Sequence, residues 1–206
     1  MKLRNKYFIL RHGQTIYQTK KKKFTYPSLN KNTAVKLTNK GEKQIKAAAK
    51  KLKKTGINLI FSSDFFRTRQ TAEIVAKEID INKINFDKRL RDVDLGIYHG
   101  KRKEEFYQKF PRSSLKRFSL KPAEGESWLD CQKRMLKFLK EIDKKFKNKT
   151  ILIVSHGDPL WLLEEAVRKR SLRKMLKTQK EKGIIKTGEL RKLYGVKFSK
   201  PRNKDS

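Results

Sequence analysis

Acidic residues are scarce in this chain: 21 Asp and Glu stand against 55 Lys and Arg in 206 residues, a formal net charge of +34. Histidine occurs three times and cysteine once, at Cys131. A lone cysteine excludes an intrachain disulfide framework and gives no sign of an oxidising compartment. No stretch approaches the roughly 20 apolar residues of a membrane-spanning helix. The apolar run that follows the first six residues is only Tyr7–Leu10, too short for the core of a secretory signal. These absences predict a cytoplasmic protein with no membrane partner.

Disorder is the rival reading of so charged a chain, but disorder predicts few aromatics and no apolar periodicity. Here 10% of residues are aromatic and 36% hydrophobic, and the apolar positions recur with helical and strand spacing. The excess charge would attract phosphorylated metabolites or nucleic acid. It is carried by 40 lysines and only 15 arginines, and arginine is the better residue for bidentate phosphate and base contacts. A lysine-coated exterior of compositional origin is therefore favoured over a dedicated nucleic-acid surface. Nothing in the pattern specifies an oligomeric state.

Strands and helices alternate along the chain. Tyr7–Leu10 reads as a short buried strand, and 14–36 as a long polar loop. Residues 37–56 read as a helix capped by Thr38, with Gly41, Ile45, Ala48, Ala49 and Leu52 as its apolar stripe. A second strand over 58–61 leads into a helix within 62–79, where Ala72, Val75, Ala76 and Ile79 form the stripe. A third strand is expected over 83–86, then irregular chain over 87–126, broken by Gly96, Gly100, Pro111, Pro122 and Gly125. The clearest helix is 127–146, with Ser127 and Asp130 in capping-box positions and Cys131 on the apolar side. Residues 150–155 are near-continuously apolar, as in a parallel strand covered on both faces, and a further helix follows. A last strand is expected over 192–198. The pattern predicts an α/β fold, a three-layer α/β/α sandwich around a mainly parallel sheet. One domain would occupy residues 1–198, with 199–206 a frayed basic tail.

Three of these strands end in charge-bearing groups. The first runs into Arg11 and His12, the second is followed by Ser62 and Arg67, and the central one ends in Ser155, His156 and Gly157. In a parallel α/β sheet, ligands bind outside the carboxyl ends of the strands, where helix N-termini also point. Two imidazoles and two fixed cations at that edge describe a site for a phosphoryl group, one histidine attacking and the others holding oxygens. The glycine after each histidine would let backbone N–H groups approach the anion. No His/Cys/carboxylate cluster has metal-ligand spacing, so no metal is expected.

The blocks RHGQT (11–15), LTNKGEKQ (37–44), SSDFFRTRQTA (62–72), LRDVDLG (90–96), EGES (124–127) and VSHGD (154–158) resemble, in order and spacing, the histidine phosphatase superfamily, the phosphoglycerate mutase-like family. The resemblance implies that fold, with His12 as the nucleophile that becomes phosphohistidine. It further implies Arg11 and Arg67 as phosphate clamps, and His156 as the second histidine stabilising the transition state. Gly157 belongs with that phosphate-binding set. The general acid of the family is the glutamate of an LRE block, and Asp92 holds that place here. Aspartate shortens the reach by about 1.5 Å, one carbon–carbon bond. Either the backbone sits closer, or water intervenes, or activity drops.

Further departures carry further expectations. Tyr17-Gln18 stands where relatives have Trp-Asn, and Gln18 is expected at the phosphate. Thr15 is a turn-stabilising alternative. Asp94 is a fallback acid, better read as an acceptor for loop N–H groups or an arginine's partner. His99 reads as a surface or structural histidine, and Asp158 as an N-cap for the following helix. The expected function is a phosphomonoester phosphatase acting on a phosphorylated small molecule without a cofactor. A cofactor-dependent phosphoglycerate mutase, which would need 2,3-bisphosphoglycerate, shares the intermediate. The mutases carry a longer insertion than the 97–123 present here, which favours the phosphatase. A catalytically weak phosphate- or RNA-binding module is the third reading.

Overall fold

The computed structural model describes residues 1–19, 23–27 and 35–194. Its centre is a five-stranded sheet in the order β3-β2-β4-β1-β5, made of β1 (Lys6–Arg11), β2 (Leu59–Ser62), β3 (Ile84–Phe86), β4 (Thr150–Ser155) and β5 (Leu190–Leu193). The first four run parallel, and β5 lies antiparallel to β1. Because side chains alternate across a strand, β4 serves two cores at once. Ile151 and Ile153 enter one apolar cluster with Trp128, Met135, Phe138 and Leu160. Leu152 and Val154 enter the other with Ile45, Ala49, Ala72 and Val75. This double burial is why TILIVS is apolar without alternation.

The helices divide accordingly. α1 (Asn39–Leu52) and α2 (Phe66–Glu78) cover one face. α4 (Trp128–Lys145), α5 (Gly157–Val167) and Met175 of α6 (Leu172–Lys182) cover the other, and α3 (Lys103–Lys109) sits in the long connection between β3 and α4. Thr38 caps α1 by accepting from Gly41 N at 3.1 Å. Ser127 and Asp130 form the reciprocal capping box of α4, and Cys131 is a fully buried thiol. No helix among the described residues is long and apolar enough to cross a membrane.

Three expectations need correction. The span 87–126 is not wholly irregular, since it holds α3 and three short 3-10 turns within residues 88–118. Only Phe106 of α3 is buried, so no stripe announces the helix. The last strand begins at Leu190 rather than at 192, and 195–198 fall outside the described residues, as does the 199–206 tail. The basic stretch from Arg168 onward, for which the periodicity announces no helix, contains one, α6, and three of its arginines have buried acidic partners. Glu164 pairs with Arg168 and Arg191, and Glu165 with Arg170. Both glutamates are buried on α5, where an unpaired carboxylate would be costly, so these arginines are counterions that tie the segment to the body.

Candidate active site

The parallel register puts the three strand ends side by side. Arg11 pairs with Ser155 and Ser62 with Val154, so His12 and His156 each sit one residue beyond paired positions. Backbone N–H of His12 donates to Ser155 O at 3.1 Å. The two rings meet edge-on with centroids 5.3 Å apart. α2 brings Arg67 in on its first turn, and its Nη2 lies 3.0 Å from His156 Nδ1. The expected group of Arg11, His12, Arg67 and His156 is assembled at one sheet edge.

Hydrogen bonding assigns both tautomers. Gly13 O, a pure acceptor, stands 2.7 Å from His12 Nδ1, so Nδ1 carries the proton and Nε2 keeps its lone pair. A guanidinium can only donate, so His156 Nδ1 accepts from Arg67, and its Nε2–H donates to Ser63 Oγ at 3.0 Å. Burial, followed by the Arg67 and Arg11 charges, holds the His12 imidazole well below its ordinary pKa. Burial and Arg67 do the same for His156. Both rings are neutral at pH 7, the state a nitrogen nucleophile requires.

Asp92 comes from the segment after β3. Its Oδ2 lies 3.3 Å from Arg67 Nη2 and 3.7 Å from His156 Nδ1. Withdrawal from water raises its pKa above the ordinary aspartate value despite the opposing pull of Arg67. The aspartate thus reaches the group directly, with the backbone close. Arg67 also lies over Tyr26, its Cζ 4.0 Å from the ring centroid.

Other expectations come out differently. Gly13 N–H is directed to Thr71 Oγ1 at 3.3 Å rather than into the site. Gly13 is needed instead for close packing, since a Cβ there would stand 2.5 Å from Gly41 O. A Cβ on Gly157 would meet Arg11 Nη1 at 2.9 Å, so this glycine makes room for the Arg11 guanidinium. Gln18 borders the cleft, but its amide already accepts from Thr15 N and meets Tyr26 OH, while Thr15 Oγ1 caps the turn at Tyr17 N. Asp158 makes no cap. It sits in the first turn of α5 and takes a bidentate ion pair from Arg112, at 2.6 and 3.0 Å. Asp94 accepts from Gly96 N and faces His99 Nε2 at 2.8 Å, which makes both of them loop-structuring residues.

Comparison with known proteins decides the family. The model of the histidine phosphatase superfamily (branch 1) matches residues 7–186. The chain belongs to the histidine phosphatase superfamily. Phosphoserine phosphatase 1 of Hydrogenobacter thermophilus is 32% identical over 60% of this chain and 60% of its own length. A probable phosphoglycerate mutase GpmB of Escherichia fergusonii is 30% identical over 78% of this chain and 73% of its own. Among solved structures, a mycobacterial glucosyl-3-phosphoglycerate phosphatase superposes with a TM-score of 0.75 at 24% identity, covering 93% of this chain and 90% of that one, a likeness of fold.

Around this histidine phosphatase centre opens a cleft of about 930 Å³. Its walls include Tyr26, Phe65, Arg112, Arg117, Glu126 and Arg134, none of which was singled out from sequence as a site residue. A signal for the cations existed. Every described lysine is exposed except Lys103, whereas Arg67 and Arg117 are buried and Arg11, Arg112 and Arg134 half-buried. In a lysine-rich chain, these arginines sit where a planar fork can be used, while Arg4, Arg102 and Arg173 are exposed like the lysines. Among the described residues, no group of three or more His, Cys, Asp or Glu is placed to hold a metal ion.

Proposed function

We propose that this histidine phosphatase superfamily member is a metal-independent phosphomonoester phosphatase working through phosphohistidine on His12. The single observation that carries the reading is the tautomer of His12. Its Nδ1 proton is committed to Gly13 O, leaving Nε2 as a neutral nucleophile beside Arg11, Arg67 and His156. The Nε atoms of Arg11 and Arg67 are buried without hydrogen-bond partners among the described residues, a condition that an anion in the cage would relieve electrostatically.

In the first step His12 Nε2 forms a bond to phosphorus as the ester P–O bond breaks. Asp92, its pKa raised, delivers a proton to the departing alkoxide. In the second, the Asp92 carboxylate takes a proton from water, whose oxygen bonds to phosphorus as the N–P bond breaks. The arginines and His156 hold the oxygens throughout. A positioned acid of this kind contributes ~10²–10⁴-fold. Gln18 would contribute at most through its edge position, since Tyr26 and Thr15 hold its amide.

The relatives' names include a phosphoserine phosphatase and a probable phosphoglycerate mutase, and both chemistries pass through the same intermediate. The compact 97–123 segment favours water as the acceptor, and the substrate is a phosphorylated small molecule. The protein should hydrolyse p-nitrophenyl phosphate in the presence of chelator, and His12→Ala should abolish it. Equal rates for the two proteins defeat the reading. Interconversion of phosphoglycerates stimulated by 2,3-bisphosphoglycerate would give the mutase instead.

A further inference from the structure

The proton donor here is one methylene short, and the structure shows what holds its backbone. Arg134, on the core-packed helix α4, spreads its guanidinium under the acid segment. Nη1 donates to Arg89 O at 2.6 Å and Arg91 O at 2.8 Å, and Nη2 to Asp92 O at 3.0 Å. The other side of the fork is taken by Glu126, with Nε to Oε2 at 2.9 Å and Nη2 to Oε1. Glu126 Oε1 in turn accepts from Asp94 N at 3.1 Å, and Glu126 N donates to Asp94 O at 3.1 Å. Leu90 O is held by Ser155 Oγ at 2.7 Å. Every backbone carbonyl from 89 to 92 therefore has a side-chain donor, and three of the four converge on one guanidinium.

We propose that Arg134, braced by Glu126, is the positioning residue that sets the reach of Asp92. Resting on the phosphatase reading, it explains how an aspartate stands 3.3 Å from Arg67 and 3.7 Å from His156. The depth comes from the backbone, and the backbone hangs on the fork. Arg134 hydrogen-bonds to neither imidazole, its partners being Glu126 and the carbonyls of 89, 91 and 92, and its action passes through Asp92. The fork geometry matters as much as the charge. A lysine ammonium has one nitrogen and cannot hold three carbonyls and a carboxylate in one plane.

The test exploits leaving groups. p-Nitrophenolate departs without a proton, whereas an alkoxide needs the acid. For wild type, Arg134→Lys, Asp92→Asn and the double variant, kcat/KM should be measured on p-nitrophenyl phosphate and on β-glycerol phosphate. Arg134→Lys is expected to lose about tenfold or more on the alkyl ester, within the span of a positioned acid, and under about threefold on the aryl ester. Added to Asp92→Asn, it should cost nothing further on the alkyl ester. Equal losses on both esters, or an additive loss in the double variant, would assign Arg134 a merely structural role and overturn the inference. If Arg134→Lys fails to fold by circular dichroism, Glu126→Gln carries the same comparison. Wild-type inactivity on both esters sinks the phosphatase reading itself, an outcome distinct from a failure confined to the Arg134 contrast.

Discussion

Side chains of ordinary type acquire their chemistry here from what surrounds them. His12 is 1% exposed and His156 fully buried, and each faces a cation, so neutrality is imposed by desolvation and like-charge repulsion. The same crowding gives Gly157 its role. A methyl at that position would press on the Arg11 guanidinium, whose Nη1 also donates to Ile185 O at 2.9 Å. Gly157→Ala should therefore displace that guanidinium and, with Arg11 holding phosphate as proposed, raise KM by about tenfold, equivalent to ~1.4 kcal/mol of binding, with little change in melting temperature. An unaltered KM would show that Arg11 can yield without loss. Arg11 and the two histidines were legible because each adjoins a strand end in sequence, and Arg67 because it lies in the SSDFFRTRQTA block that follows β2. Ser63, Tyr26 and Arg134 were not, because their roles are contacts made across the fold.

At the scale of elements, legibility followed the strength of local signals. α4 carries both an apolar face and a complete capping box, and its start was readable to the residue. Ser127→Ala removes the cap and should cost about 1 kcal/mol. In a chain of this size that is a fall of roughly 2–4 °C in melting temperature, and an unchanged melt would show the cap to be redundant. α6 was missed because Leu172, Met175 and Leu176 are its only large apolar residues among lysines. α3 was missed because a single buried phenylalanine makes no period. The β5 boundary was misplaced because an edge strand pairs on one side only, so its limits depend on β1, with Leu10 opposite Leu190 and Tyr7 opposite Leu193.

For the molecule as a whole, the titrating groups predict a pH response of definite sign. His12 and His156 have folded pKa values well below 6.5, so as pH falls through about 6.5 the unfolded chain takes up protons that the native state refuses. Stability should decline by up to about 1.4 kcal/mol per histidine per pH unit. The raised pKa of Asp92 offsets part of this, because its folded form gains a proton first as pH drops towards 3.8. Thermal melts at pH 7.5 and 5.5 test it: the protein should melt lower at 5.5, and His12→Asn with His156→Asn should flatten the difference. An equal melt for wild type at both values refutes the assignment. Below this window the salt-bridged Asp64 and Asp158, whose pKa values lie below the ordinary aspartate range, add a second loss as they protonate.

The amino-acid order by itself determined the layer architecture, the sheet edge at which the charge-bearing groups gather and the four side chains that meet there. All of these depend on short-range periodicity and on which residue follows each strand. Only the tertiary structure decided which histidine nitrogen holds a proton, how Asp92 comes within 3.3 Å of Arg67 and why arginine rather than lysine stands at a few positions. Those outcomes depend on desolvation and on hydrogen-bond angles between segments far apart in the chain, and such quantities exist only once the chain has closed on itself.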